Sequence, residues 1–143
     1  MHYIVATDGS TESDEAVRYA TRHAIDCDAC LEVVHVLTPR TELIEGEIVM
    51  PGGETAVEHG LRTLEGSRAL AEDAAAEYGG GLTIETELLA GRPAETIAEY
   101  AETADADAIY VGHRGLSSER EQVVGSVAKS VVDKATVPVT IIR

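Results

Sequence analysis

The chain opens with HYIVATDGSTESDEAVRYATRHAI, residues 2–25, in which a short apolar run leads through a turn into an amphipathic segment. Residues 2–7 are rich in β-branched and apolar side chains, which predicts a strand. Residues 8–11, Asp-Gly-Ser-Thr, are typical of a turn followed by a helix N-cap. From residue 12 to residue 25 apolar side chains recur at helical spacing, and acidic residues stand in the first turn, where the helix dipole favours them. The opening therefore predicts a strand that feeds directly into a helix.

The same alternation of strand and helix patterns continues along the chain. Apolar runs predict four more strands, and helical spacing predicts three more helices: strands at residues 31–37, 82–89, 107–111 and 137–142, and helices at residues 54–78, 93–103 and 125–135. Residues 38–53 show no sustained period, so we expect a mobile loop with at most one short helical turn. The 82–89 and 137–142 strands are expected at the sheet edges.

The order βαβαβαβαβ calls for parallel strands joined by right-handed crossovers. We therefore predict a single-domain, doubly wound α/β fold with helices on both faces of the sheet. In such sheets the ligand crevice lies beyond the carboxyl ends of the strands, at the point where the strand order reverses. Functional residues are expected at that point.

The composition fits one folded domain. The chain has 143 residues, of which 44% are hydrophobic and 26% charged, and this length is sufficient to bury a sizeable core. No apolar run approaches the roughly 20 residues of a membrane helix. The N-terminal residues lack the basic and long apolar regions of a signal peptide. We expect a cytoplasmic protein.

The chain is strongly acidic, with 26 Asp and Glu against 11 Lys and Arg and a formal net charge of -15. The cations are scattered, and this argues against duplex DNA as a partner, because a polyanion binder gathers its Lys and Arg into a stripe. So large an excess of one charge repels itself unless salt shortens the Debye length, to about 3 Å near 1 M. We therefore expect a halophilic protein; an ordinary acidic protein is the alternative.

The chemistry-bearing motif follows the fourth predicted strand of the main alternation. It reads G-H-R-G at residues 112–115, then nine residues, then Gly-Ser at 125–126 opening a helix. The first two glycines let the backbone approach an anion closely, and the Gly-Ser pair places N–H groups and a hydroxyl at a helix N-terminus. Together they predict a phosphate cradle, although two glycine turns and a Ser near a helix start also occur in ordinary loops. No G-x-x-x-x-G-K-[ST] or G-x-G-x-x-G loop is present.

Four features occur in order along nearly the whole chain. They are the start YIVATDGS at residues 3–10, the strand VVHV at 33–36, the helix entry GRP at 91–93, and the glycine motif of 112–126 followed by VPV at 137–139. In this combination the chain resembles the universal stress protein family, with residues 1–143 as one domain. The resemblance implies a five-stranded parallel sheet of order 3-2-1-4-5, reversing between strands one and four. It also implies a homodimer built around the C-terminal edge strand, Val137 to Ile142; the alternative is a strand covered by the chain's own helices.

The resemblance also implies the roles of individual residues. In the ATP-binding branch of the family the glycine motif holds the phosphates, the Asp after strand one meets the ribose, and backbone at the end of strand two meets adenine. Carried over by position, the phosphate residues are Gly112, Gly115, Gly125 and Ser126, with Arg114 as a secondary contact; Asp8 meets the ribose, Val36 the adenine, and Thr7 and Val127 lie beside the nucleotide. The expected ligand is ATP or AMP. For Asp8 a turn or N-cap role is the alternative.

Two departures from the family pattern affect the predicted site. His113 occupies a position that commonly holds a small hydroxyl residue, and we expect its ring to point to water. The loop between the glycines carries Glu119 and Glu121, which repel phosphate unless Mg²⁺ bridges the charges or the acids point outward. ATP and AMP therefore both stay open as ligands.

Cys27 and Cys30 form a C-x-x-C pair between helix one and strand two, the end of the helix opposite to that of a reactive thiol couple. Zinc would need about two further ligands of suitable chemistry, and the sequence clusters none beside the pair. Structural or incidental thiols are expected.

These observations favour a regulatory or stress-response module that binds an adenine nucleotide. No Walker lysine and no evident general base for water accompany the motif, so any hydrolysis should be slow and Mg²⁺ dependent. One alternative is a nucleotide hydrolase or transferase. The other is an interaction protein whose pocket binds no nucleotide.

Overall fold

A parallel sheet with helices on both faces forms the body of the chain. The computed structural model describes residues 1–38, 42–44, 47–49, 53–113 and 125–143. The strands are β1 His2–Ala6, β2 Cys30–Leu37, β3 Glu42–Ile44, β4 Glu47–Val49, β5 Ile84–Ala90, β6 Ala108–Gly112 and β7 Val139–Ile142. The helices are α1 Thr11–Asp26, α2 Glu54–Tyr78, α3 Pro93–Thr103 and α4 Ser126–Lys134.

Five strands form the main sheet in the order β5-β2-β1-β6-β7, and all of the paired strands are parallel. Renumbered without the short strands β3 and β4, this is the predicted order 3-2-1-4-5. β5 and β7 stand at the two edges, as the sequence pattern predicts. The order reverses between β1 and β6, so the crevice between their carboxyl ends is the place where a doubly wound sheet binds ligands.

The sheet separates two apolar cores made largely of small aliphatic side chains. On β1, Tyr3 and Val5 pack with α1 and α2, whereas Ile4 packs with α3 and α4, because successive strand residues face opposite sides. Burial on both faces explains why β1 and β2 read as continuous apolar runs. Alanines on α1 and α3, such as Ala20 and Ala101, are almost completely buried and let the helices lie close to the sheet.

The prediction for residues 38–53 was wrong where the structure describes them. β3 and β4 form an antiparallel hairpin in which Ile44 pairs with Glu47, leaving two residues between the strands. Three-residue strands are too short to show a convincing alternation, which is why the pattern was missed. The rest of the segment, residues 39–41, 45–46 and 50–52, lies outside the described residues.

The helix ends follow sequence signals. Ser10 caps α1, its hydroxyl accepting the Ser13 N–H at 3.2 Å, and α2 ends at Gly79, whose φ of 87° is the left-handed conformation that glycine adopts without strain. In the described part of the chain no helix is both long enough and apolar enough to cross a membrane.

Candidate functional site

The strand registers bring two predicted site residues, Asp8 and Val36, to one level with His113. Ala6 pairs with Val34 on β2, and Val5 pairs with Tyr110 on β6. Continued past the end of β1, these registers place Asp8 level with Val36 on one side and His113 on the other. Neighbouring strands lie about 4.8 Å apart, so the carboxyl ends of β2, β1 and β6 form one continuous rim at the reversal of strand order.

Asp8 shapes the turn that leads from β1 into α1. Its Oδ1 accepts the Ser10 N–H at 2.9 Å, an Asx turn, and Gly9 between them adopts a φ of 82°. The N-cap of α1 is Ser10 rather than Asp8. The turn role weighed for Asp8 is therefore real, and it holds the carboxylate at the rim of the crevice.

Thr7 is buried, and its side chain makes hydrogen bonds within the turn instead of facing the crevice. Its hydroxyl accepts the Gly9 N–H at 3.2 Å and the Ser67 hydroxyl at 3.0 Å, and it lies 3.2 Å from the Ser13 hydroxyl. Its carbonyl accepts a hydrogen bond from His35 Nδ1 at 2.7 Å. Sequence analysis missed this network, whose signal was a set of small hydroxyl residues at positions that face the core.

Val36 presents its main chain to the crevice. The Val34 carbonyl accepts the Thr7 N–H, whereas the Leu37 carbonyl, on the opposite edge of β2, accepts the Gly91 N–H. Main-chain groups alternate sides along a parallel strand, so the Val36 N–H and C=O point toward β1, at the level where the chain has left the sheet for the Asp8 turn. The Val36 side chain is buried on the α3 and α4 face.

Gly112 is required by packing. A Cβ at this position would lie 2.9 Å from the Glu12 carbonyl carbon and oxygen and 3.1 Å from the Ser13 N. The end of β6 is thus pressed against the first turn of α1. The sequence explained this glycine by close approach to an anion, and the structure adds a second reason, close approach to a helix.

The N-terminus of α4 lies beside the end of β6. Gly125 is its N-cap and provides no side-chain hydrogen bond, and the Gly125 N–H donates to the His113 carbonyl at 2.8 Å. Ser126 and Val127 are exposed. The first-turn N–H groups of a helix attract anions, and α4 differs in this respect from α1, whose first turn is capped by the Ser10 hydroxyl.

The prediction that the His113 ring points to water was wrong. The residue is only 6% exposed, and its Nε2 is buried without a hydrogen-bond partner among the described residues. Burial arises because the strand geometry continues past Gly112: the His113 N–H still donates to the Ile142 carbonyl of β7. The ring therefore keeps the alternation of the sheet instead of turning outward with a loop.

Negative charge gathers on the α1 side of the crevice. Asp14, in the first turn of α1, has a raised pKa, chiefly because it is partly buried; Arg18 acts in the opposite direction and Asp8 adds to the rise. The first turn of α1 contains the acidic residues Glu12 and Asp14, whereas the first turn of α4 contains none.

Part of the predicted site lies outside the described residues, namely Arg114, Gly115 and the loop that carries Glu119 and Glu121. Within the described ranges no group of three or more His, Cys, Asp or Glu is arranged to hold a metal ion. Cys27 and Cys30 are both free thiols, partly buried, and Cys27 is the C-cap of α1, at the helix end remote from the crevice.

The comparisons with known proteins agree with this architecture. The profile of the universal stress protein family matches residues 1–143. The chain belongs to the universal stress protein family. A universal stress protein of Methanocaldococcus jannaschii is 33% identical over 145 residues, covering 98% of this chain and 80% of the relative. The universal stress protein YxiE of Bacillus subtilis is 32% identical over 149 residues, covering 98% and 97%.

Solved universal stress proteins share the fold. One, in complex with cAMP, superposes with a TM-score of 0.74 at 26% identity, covering 100% of this chain and 96% of the other. Another, from Archaeoglobus fulgidus in complex with dAMP, superposes with a TM-score of 0.73 at 23% identity, covering 100% and 98%. At that identity the second is evidence of a shared fold only. The chain is therefore similar in its whole architecture to one protein solved in complex with cAMP and to another solved in complex with dAMP.

Proposed function

We propose that residues 1–143 form one universal stress protein domain that binds an adenine nucleotide, ATP or AMP, in the crevice between β1 and β6 and acts as a regulatory module. The observation that carries the proposal is the shared level of the Asp8 turn, the Val36 main chain and the end of β6, beside the N-terminus of α4. The related structure with cAMP, at 26% identity, supports the adenine class of ligand.

Each part of the rim matches one part of such a ligand. The Val36 N–H and C=O are a donor and an acceptor for the edge of adenine, and the Asp8 carboxylate accepts from ribose hydroxyls. Gly112, Gly125, Ser126 and Val127 then surround the phosphate, with main-chain N–H groups at the α4 terminus as donors. Arg114 and Gly115 complete the phosphate contacts, and Mg²⁺ neutralises the charge where ATP is the ligand.

A homodimer through β7 belongs to the same proposal. β7 is the last strand in the sheet order. The carbonyls of Pro138 and Ile142 accept hydrogen bonds from β6, so the alternating main-chain groups of Val139 and Ile141 point away from the sheet. Such an edge is suited to pairing with a second chain. We further propose that the dimer works in a salt-rich cytoplasm, as the net charge of -15 favours.

Two measurements test nucleotide binding: mass spectrometry of any ligand released from the purified protein, and calorimetric titration with ATP, AMP and adenosine, with and without Mg²⁺, in molar KCl. We expect ATP or AMP to bind more tightly than adenosine, because the α4 terminus contributes only when a phosphate is present. No binding of any of the three compounds would refute the adenine-nucleotide proposal and favour an interaction protein. Multiple turnover of ATP would favour the enzyme alternative.

Asp8→Asn separates the ribose role from the turn role. The Asn carbonyl can keep the hydrogen bond from the Ser10 N–H, while the carboxylate acceptor is lost. We expect about tenfold weaker binding of AMP, as for loss of a charged hydrogen bond, with little change in the urea midpoint. Asp73→Asn, an equal charge change at an exposed position of α2, is the matched control and should bind AMP as the parent does. Equal affinities for the two variants would remove Asp8 from the site.

A further inference from the structure

His113 has a buried nitrogen that the fold leaves unused. The residue is 94% buried, and Nε2 has no hydrogen-bond partner within the described part of the chain. Leaving a buried donor or acceptor unpaired carries a full desolvation cost, so such groups in native proteins call for a specific explanation. Its position at the end of β6, in the crevice already identified, suggests a ligand as that explanation.

The direction of the ring follows from the sheet. Ile109 and Val111 face the core shared with α3 and α4, where they pack with Ala128 and Val131 of α4. His113 is the next residue of the same parity, and its N–H still pairs with β7 in the manner of a strand residue. The ring therefore lies on the α4 face of the sheet.

The direction of α4 shows which of its turns lies beside the ring of His113. Ala128 and Val131 occupy its first and second turns, and the helix begins at Ser126, at the carboxyl end of the sheet. Since His113 lies one step beyond Val111 toward that end, its ring faces the first turn of α4. The Gly125 N–H, 2.8 Å from the His113 carbonyl, joins the two segments directly.

This neighbourhood suits an anion. The first turn of α4 presents main-chain N–H groups and the positive end of the helix dipole, which repel a cation. An imidazole with its proton on Nε2, or a fully protonated one, adds a donor directed at the same place. Phosphate oxygens accept several such bonds at once, and bonds to a charged acceptor are stronger than those to a neutral one.

We infer that His113 Nε2 donates a hydrogen bond to the nucleotide phosphate that lies at the N-terminus of α4. The inference rests on the proposed function for the identity of the nucleotide, but the anion contact itself is independent of the adenine and ribose contacts. His113 is thus a phosphate-specificity residue: it distinguishes AMP from adenosine and contributes nothing to the recognition of the base.

The test uses ¹⁵N-histidine NMR on the intact protein in molar KCl, with His113 assigned by the signal missing from His113→Gln. Inorganic phosphate, AMP and adenosine are added separately. We expect the His113 Nε2 resonance to shift with phosphate and AMP and to stay unchanged with adenosine. The other histidines, including His59 on α2, serve as internal references.

Calorimetry on two variants provides the second readout. His113→Phe keeps a planar ring without a donor, and we expect it to lose roughly tenfold or more in AMP affinity while adenosine affinity is unchanged. His113→Gln keeps an amide donor and should retain most of the affinity. If His113→Phe does not fold, the NMR titration of the parent and the His113→Gln comparison still decide the question.

The outcomes separate this inference from the proposed function. A shift of Nε2 with phosphate but no binding of adenosine or AMP would uphold the anion contact and refute the adenine proposal. AMP binding with no change at Nε2, together with equal affinity in His113→Phe, would overturn the inference and leave the adenine proposal standing. An Nε2 resonance insensitive to all three additions would likewise overturn the inference.

Discussion

Gly112 shows how a single missing Cβ positions the rim of the crevice. An alanine here would bring its Cβ to 2.9 Å from main-chain atoms of Glu12, and backbone of a capped helix cannot yield as a flexible side chain can. We expect Gly112→Ala to lower the free energy of unfolding by about 1–3 kcal/mol, the range for overpacking a close contact. Urea unfolding monitored by circular dichroism measures the change.

Gly66→Ala is the matched control for that substitution. Gly66 lies within α2, and a Cβ there would have no neighbour within 4 Å, so alanine should stabilise the helix by about 0.5–1 kcal/mol. The two changes are chemically identical and are expected to have opposite signs. A loss of stability in Gly66→Ala as large as in Gly112→Ala would mean that glycine matters here for reasons other than packing space.

Tyr3 makes stability depend on alkaline pH. Its pKa is raised from 10.0 to about 12, first by the side-chain hydrogen bond with Cys27 and then by burial. The folded state therefore keeps the phenol protonated where the unfolded chain has lost the proton, so stability falls as pH rises from 10 toward 12. The slope of the free energy of unfolding against pH therefore includes one proton from Tyr3, about 1.4 kcal/mol per pH unit, and Tyr3→Phe should remove that contribution.

The measurement is urea unfolding of Tyr3→Phe and the parent at several pH values across this window. Tyr110 also has a raised pKa, chiefly through burial and then through Tyr3, so a residual slope is expected in the variant. Tyr3→Phe with the full slope of the parent would show that Tyr3 titrates alike in both states.

For single residues, the sequence predicted where a residue lies in the fold better than where its side chain points. Asp8 and Val36 were assigned to the site through the resemblance to the family, and the strand registers put both at the rim. His113 could not be oriented, because a motif gives spacing along the chain and does not say where a strand's alternation stops. The Thr7 hydroxyl network was missed for a related reason: its members Ser13 and Ser67 lie on two different helices, and single-chain patterns do not show which helices meet.

Among the elements, β7 carries the clearest prediction. The Ile141 N–H points away from β6, whereas the Thr140 main chain faces it. Ile141→Pro should therefore leave the β6 ladder intact and abolish pairing with a second chain, giving a folded monomer in sedimentation experiments. Thr140→Pro, which removes a ladder hydrogen bond, should instead lower the free energy of unfolding by about 1–3 kcal/mol, the cost of leaving a main-chain acceptor unpaired.

The comparison of those two proline variants is decisive for the edge. Both introduce the same residue at neighbouring positions and remove a donor from opposite sides of the strand. Ile141→Pro also gives up the packing of the Ile141 side chain against the core shared with α3 and α4. If the parent sediments as a monomer, or if Ile141→Pro remains a dimer, the proposed pairing through β7 is refuted.

The elements that the sequence predicted well are the long ones. α1, α2 and β2 have enough residues for a helical or strand period to stand out from chance. The β3–β4 hairpin was missed because six residues in two short strands hold too little pattern.

For the whole molecule, the net charge of -15 on 143 residues leads to a prediction about salt. Exposed ion pairs in the described part of the chain, such as Arg68 with Glu72 on α2, join side chains that are about half exposed and contribute little. Self-repulsion of the acidic surface is therefore only weakly compensated. We expect the thermal midpoint to rise substantially between dilute buffer and molar KCl, where the Debye length falls to about 3 Å.

Differential scanning calorimetry in KCl and in a non-ionic osmolyte distinguishes screening from general exclusion effects. Screening predicts a large rise of the thermal midpoint at KCl concentrations well below those at which the osmolyte raises it. Equal midpoints in dilute buffer and in molar KCl would identify an ordinary acidic protein.

The doubly wound α/β class could be predicted because an alternating α/β pattern leaves few arrangements that obey the crossover rule. The strand order 3-2-1-4-5 came from the resemblance to the family. The sequence pattern does not show how closely the elements pack together. It could not show that the end of β6 touches the first turn of α1, nor that the ring of His113 is enclosed. Both facts depend on how closely alanine-rich helices approach the sheet.

The two helices at the crevice belong to different halves of the molecule. α1 packs into the core on one face of the sheet and α4 into the core on the other, and at the crevice both helices begin. A ligand bound between them would contact both helices at once. Neither helix could then move away from the sheet without breaking its contacts with the ligand. Amide hydrogen exchange would then slow in both helices together on binding, joining two cooperative units into one.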